Sequence, residues 1–287
     1  MKTSAWVPFA FLAPALAGLL LFRFAPIVLS LVGGLYSTGL TGETAFSGLG
    51  NYQGLADDPA FWRSIQVTLL FNIIINPLQV VLAFLLALLM VRPGRGIGFM
   101  RTAVLLPITV SIALTSVLWN LLLDPGVGPV NGLLRSMGLP AQPFFRSEGQ
   151  ALPSLIAICT WRGVGYWMLF MLGGLGAIPQ EVNEAAMIDG AGWWRRLIHV
   201  TMPLMRRTFG FVLVADTAAN FLLFAPVYII TTGGPNGSTS LLMYEAYRAA
   251  FSLLDDGRSL AISTVILLIV GTVAALELRL FRAEEGV

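Results

Sequence analysis

Charge is what this sequence has least of. Of its 287 residues only 11% are Asp, Glu, Lys or Arg, against about 25% in a soluble globular domain. The deficit runs along the whole chain, which argues against a soluble enzyme on a single membrane anchor. Cys159 is the only cysteine and His199 the only histidine. An internal disulfide and a cysteine-based metal cluster are therefore impossible, and the usual zinc and Ser-His-Asp sets cannot be assembled. A net charge of +2 without a basic tail gives no reason to expect nucleic acid. There is no GxxxxGK[ST] phosphate loop, so any ATP that drives this protein must be bound by another chain.

What remains is apolar residues, 56% of the chain. Runs of about 20 residues, enough to cross a bilayer, recur at roughly 7–35, 65–91, 102–123, 152–177, 208–230 and 260–280. The expectation is an all-α polytopic membrane protein with six transmembrane helices in a single domain, residues 1–287. Arg23 and Pro26 in the first run predict a kink or a steep tilt. Ala15-Leu16-Ala17 superficially suits a signal protease, but the apolar run continues well past a normal signal core.

Basic residues orient the spans. With the N-terminus in the cytoplasm, ten Lys and Arg fall in inside segments and five in outside ones. Both termini are then cytoplasmic, as is the elbow at about 179–203. The outer connectors are short and carry turn chemistry, as in Asp124-Pro125-Gly126 and Asp255-Asp256-Gly257.

That elbow is the most informative stretch. Pro179 opens a short helix with Glu181 and Glu184 near its positive end. Ala185 and Ala186 offer a small-sided surface. Asp189-Gly190 signals a turn, since glycine takes positive φ without a Cβ clash. A second amphipathic segment carries Trp193, Leu197 and Val200, and Pro203 sets the entry into the fifth span. By geometry alone this could be a plain interfacial connector.

Glu184-Ala185-Ala186, Asp189-Gly190-Ala191 and His199-Val200-Thr201-Met202-Pro203 resemble the EAA loop of ABC importer permeases. Val200 and Met202 stand where that family has Ile and Leu. Leu106-Pro107, Trp119 and Asp124-Pro125-Gly126 are similar to the third-span region of its carbohydrate-uptake members. Thr231-Thr232-Gly233-Gly234-Pro235 with Tyr244, Tyr247 and Phe251 resembles the Gly-Gly-Pro subunit of maltose, glycerol-phosphate and multiple-sugar systems.

The resemblance implies that Glu184, Ala185, Ala186, Asp189, Gly190, Ala191 and Pro203 couple the spans to a cytoplasmic ATPase. It implies a bacterial inner-membrane location and a second, non-identical permease. Two ABC ATPase subunits would hold ATP and Mg, so this chain would need no cofactor and would be no enzyme. An extracytoplasmic binding protein would deliver a small polar solute, a sugar or sugar derivative.

Charges inside a bilayer are costly, which makes Arg162 and Asp216 functional candidates. Arg162, Gly163 and Tyr166 share one side of the fourth span, and Asp216, Ala219, Asn220 and Leu223 one side of the fifth. By the resemblance, these seven positions line the sugar site. Arg162 and Asp216 could equally pair with each other or with a partner subunit; if Arg162 instead faces solute, an anionic sugar derivative is favoured. Asn72, Asn76, Gln79 and Asn120 are expected to bond between helices, and Cys159 to pack. The rival of another class is an ion-coupled secondary transporter, in which Asp216 carries the proton. A membrane enzyme lacks any clustered nucleophile, base or metal-ligand set.

Overall fold

In lipid the backbone must satisfy its own polar groups, so apolar runs of this length become helices. A computed structural model describes residues 6–38 and 43–282. Among the described residues, four helices are long and apolar enough to cross a bilayer: Phe11–Gly33, Pro59–Met90, Glu148–Gly176 and Asp256–Phe281. Two bent pairs, Ile97–Thr109 with Ile112–Leu122 and Trp193–Leu204 with Arg206–Phe221, bring the number of candidate spans to six. We call Pro59–Met90 span two, the Ile97–Leu122 pair span three, Glu148–Gly176 span four, Arg206–Phe221 span five and the helix from Asp256 span six.

Three features depart from six straight rods. Span one, Phe11–Gly33, contains a π-helical turn, Leu20–Phe24, that includes Arg23. Span three turns through 97° because Val110 and Ser111 are both extended (ψ 139° and 137°). Thr109 Oγ1 donates to Leu106 O at 2.7 Å near that break, and the helix restarts with Thr115 N donating to Ser111 O. Span five stops at Phe221 instead of running to residue 230. Pro226 has no N–H to give to Leu222 O, and the chain resumes only as a π-helical turn, Val227–Thr231. The all-α expectation also gains a small exception: Tyr36–Thr38 and Thr44–Phe46 form an antiparallel hairpin, with Tyr36 opposite Phe46.

The described residues cluster into two compact units. One takes in the stretches up to Trp62 together with Glu245–Leu268. Within it, Asn51 Nδ2 donates to Gly34 O and Tyr36 O at 2.9 and 2.8 Å, Thr264 Oγ1 donates to Ser30 O, and Asp58 pairs with Arg258.

The other unit holds Arg63–Tyr244 and the residues from Ile269 on. Phe71, Ile75, Leu155, Val227 and Leu241 anchor one core cluster in it; Ala83, Ala87, Met168, Met171, Met205 and Val212 anchor a second. Spans three and four approach so closely that a Cβ on Gly165 would sit 2.2 Å from Val104 O. Glycine is required there.

Candidate functional site

The elbow is built by its caps. Pro179 is extended (φ −59°, ψ 140°) and launches the helix Gln180–Ile188. Gly190 N donates to Met187 O at 3.0 Å and Ala191 N to Ala186 O at 2.9 Å, with Gly190 at φ +74°. This pair of bonds around a left-handed residue is the Schellman ending of a helix. Glu184, Ala185, Asp189 and Gly190 are exposed, whereas Ala186 and Ala191 are half-buried. Gln180 Nε2 donates to Glu184 Oε1 at 2.6 Å, four residues on. Pro203 is exposed near the end of the second elbow helix, so the 64° bend into span five falls after it. His199 is exposed, its ring beside Arg195 O.

The opposite face of the elbow borders a cleft of about 900 Å³, lined by Leu85, Leu89, Arg92, Met187, Trp193 and Arg196 among others. Helix periodicity makes the division: residues 180, 183 and 187 look into the cleft, and 184, 185 and 188 look away from it.

The seven residues expected on one solute-facing surface divide into two sets. Arg162 is half-buried, and Tyr166 is 40% exposed. Arg162 Nη2 reaches Val110 O, the carbonyl at the break in span three, at 3.5 Å. Its Nε is buried with no hydrogen-bond partner, and it makes no ion pair with Asp216. Trp161 is 46% exposed and meets Trp119 edge-on, centroids 5.3 Å apart. Ala219 is exposed as well.

Asp216 and Asn220 are turned inward, 1% and 7% exposed. Asn220 Nδ2 donates to Asp216 Oδ1 at 2.9 Å and to Asn76 Oδ1 at 2.8 Å. Asn76 Nδ2 donates to Thr217 Oγ1 at 2.9 Å, and Thr217 Oγ1 donates to Glu277 Oε1 at 2.9 Å. Gln79 Nε2 donates to Cys159 O at 3.0 Å. Spans two, four, five and six are thus stitched by one buried polar chain. Polar side chains within a bundle find one another because lipid offers them nothing.

Gly163 belongs with this packing: a Cβ there would lie 2.9 Å from Gln79 Nε2. Leu223 lies beyond the end of span five, off the helix face assumed for it. A helix face is wide enough that Ala219 and Asp216, three residues apart, can look to different neighbours.

Of the amides expected to bond between helices, Asn76 and Gln79 do, whereas Asn72 bonds along span two itself, to Thr68 O and Asn76. Asn120 is exposed. It borders a pocket of about 420 Å³ with Asp124, Arg146 and Thr231. The N–H groups of Val127 and Gly126, aided by Arg146, hold the Asp124 carboxyl below the usual carboxylate range. Cys159 is buried and free. Glu277 was missing from the sequence-derived set, although an acid inside an apolar span is the very signal that singled out Asp216. Among the described residues, no three His, Cys, Asp or Glu side chains are grouped to hold a metal.

Residues 77–281 match the family described as binding-protein-dependent transport system inner membrane component. The chain is 32% identical over 275 residues to the sn-glycerol-3-phosphate transport system permease protein UgpA of Agrobacterium fabrum, covering 95% of this chain and 94% of that one. It is 34% identical over 273 residues to the lactose transport system permease protein LacF of Rhizobium radiobacter, covering 93% and 91%. Among solved structures, a chain of a bacterial alginate ABC transporter superposes with a TM-score of 0.79 at 22% identity, covering 96% of this chain and 92% of that one.

Proposed function

The chain belongs to the family of binding-protein-dependent transport system inner membrane components, and from that membership we propose that it is one permease subunit of an ABC importer for anionic sugar derivatives or polyol phosphates. It is a multi-pass inner-membrane protein, and its relatives are transport permeases.

In this reading both termini face the cytoplasm, as the excess of basic residues in the inside segments suggests. The exposed Glu184-Ala185 and Asp189-Gly190 surface docks on an ATPase subunit, which carries the ATP and Mg. A second, non-identical permease completes the pathway, a second ATPase subunit completes the motor, and a binding protein delivers solute from outside. The Schellman ending fixes where the elbow helix stops, so a push on that surface is carried into the second elbow helix and span five. The ion-coupled alternative is not favoured, because the relatives belong to binding-protein-dependent systems.

One observation supports the solute class. Arg162 is a half-buried cation with no ion-pair partner among the described residues and an unpartnered Nε, next to the partly exposed ring of Trp161 and one turn from Tyr166. A guanidinium left unpaired within a span is costly; an anionic solute would relieve that cost, and the rings would suit a sugar or polyol backbone. Asp216 and Asn220 then act as the frame behind the pathway, since Asn220 is bonded to Asn76 of span two and to Asp216 beside it.

The test is uptake by proteoliposomes holding the whole transporter, with ATP inside and binding protein outside. Glycerol 3-phosphate should enter in an ATP-dependent way, and Arg162→Leu should lose that uptake while the complex still assembles and hydrolyses ATP. Uptake confined to neutral disaccharides, or unchanged in Arg162→Leu, would overturn the solute class. Uptake without ATP would overturn the importer.

A further inference from the structure

The large cleft behind the elbow has a composition that the transport pathway does not use. Leu85, Leu88 and Leu89 line it, at i, i+3 and i+4 on one face of span two. Its lining runs along the ends of spans two and four, which stop at Met90 and Gly176, the level at which a hydrocarbon layer gives way to headgroups. Arg92, two residues past the end of span two, and Arg196 both line it, and no acidic residue does among the described residues. Arg196 Nε is buried without a hydrogen-bond partner. Trp193 also lines it and is half-exposed, a residue type that collects at bilayer interfaces.

We propose that this cleft binds an anionic phospholipid, with an acyl chain along the leucines and the headgroup phosphate between Arg92 and Arg196. The volume of about 900 Å³ lies within the range of pockets that bury small ligands. Basic pockets at the ends of membrane helices hold acidic headgroups by this pairing of charge and depth. The elbow surface assigned to the ATPase lies on the other side of the same helix, so both can be occupied at once. A lipid wedged between span two and the second elbow helix would set the angle at which the elbow leaves the membrane. The proposal does not depend on which solute is carried.

Native mass spectrometry of the assembled, detergent-purified transporter, mixed with equal amounts of phosphatidylglycerol and phosphatidylcholine of the same chain length, tests it. Phosphatidylglycerol should be retained preferentially, with Arg92→Gln and Arg196→Gln each lowering the ratio about fivefold. Arg95→Gln removes the same charge from a residue outside the cleft and should leave the ratio unchanged. The ratio is read within one spectrum, so poor yield of a variant cannot mimic the effect. Equal retention of the two lipids, or a preference that survives both cleft substitutions, overturns the proposal. So does binding by the isolated chain that disappears once the ATPase is present, which would make the cleft a protein interface.

Discussion

Asn220 and Asn76, 144 residues apart, share a hydrogen bond of 2.8 Å in which the Asn220 amide donates to Asn76 Oδ1. Both are more than nine-tenths buried. Through Asn76 the contact continues to Thr217 and Glu277, so one amide pair joins span two to span five and, beyond it, span six. This places span five's polar face against protein and leaves Ala219 on the open side.

Asn76→Leu should therefore lower stability in detergent by about 1–2 kcal/mol, the range for interhelical hydrogen bonds in membranes when partners are stranded. Asn220→Leu should cost a similar amount. The double variant should cost less than the sum, because each substitution alone orphans the other amide. Thermal unfolding of the four proteins measures this, and strict additivity would show that the contact carries no coupling.

The two span-four glycines should respond differently to added bulk. At Gly165 a Cβ meets Val104 O at 2.2 Å, a backbone atom that moves only if spans three and four separate. Gly165→Val should abolish monodisperse, folded material on size-exclusion chromatography. At Gly163 the obstacle is the end of the Gln79 side chain, 2.9 Å away, which can swing aside and lose its bond to Cys159 O. Gly163→Ala should fold, at a cost of about 1 kcal/mol.

The hydropathy pattern carried the spans and the Asp189-Gly190 turn, because both depend on local residue chemistry. The break in span three was not legible. Val110 and Ser111 carry no helix-breaking signal by type, and the contact made at the break, Arg162 Nη2 to the Val110 carbonyl, joins residues 52 apart in sequence. Glu277, followed by Leu278 and Arg279, reads as a charge near the end of a span. Its hydrogen-bond partner Thr217 lies 60 residues earlier, so its link to span five shows only in the fold. The inward turn of Asn220 likewise rests on Asn76 in span two, which periodicity along span five cannot reveal.

Acid should loosen the contact between Asp58 and Arg258. Burial pushes the Asp58 carboxyl up, but the Ala60 N–H and the Arg258 guanidinium outweigh it and hold it below its ordinary 3.8. A carboxylate depressed in the folded state contributes its stability above the unfolded value, and loses it as pH falls through the folded one. Stability near neutral pH should be flat in this contribution, with the loss setting in below about pH 4. Asp58→Asn should be less stable at pH 7 and show a smaller fall on acidification. Melting curves across that range check it; an unchanged acid slope would place the effect elsewhere.

Gly190 offers the cleanest separation of backbone from contact effects. A Cβ there meets nothing within 4 Å, yet φ is +74°. Any penalty from substitution is therefore conformational, about 1–2 kcal/mol for an ordinary L-residue in the left-handed region. Asparagine tolerates that region better than most residues, and a β-branched side chain tolerates it worst. The series Gly190→Asn, Gly190→Ala, Gly190→Val should then weaken the elbow in that order. If the elbow is the link to the ATPase, ATPase retention on co-purification and binding-protein-stimulated hydrolysis should fall in the same order. Equal loss in all three would mean that the added side chain blocks docking directly. No loss, even in Gly190→Val, would remove the elbow from the coupling path. Because nothing packs on Gly190 within its own chain, the graded outcome can arise only from the turn that brings Ala191 N to Ala186 O.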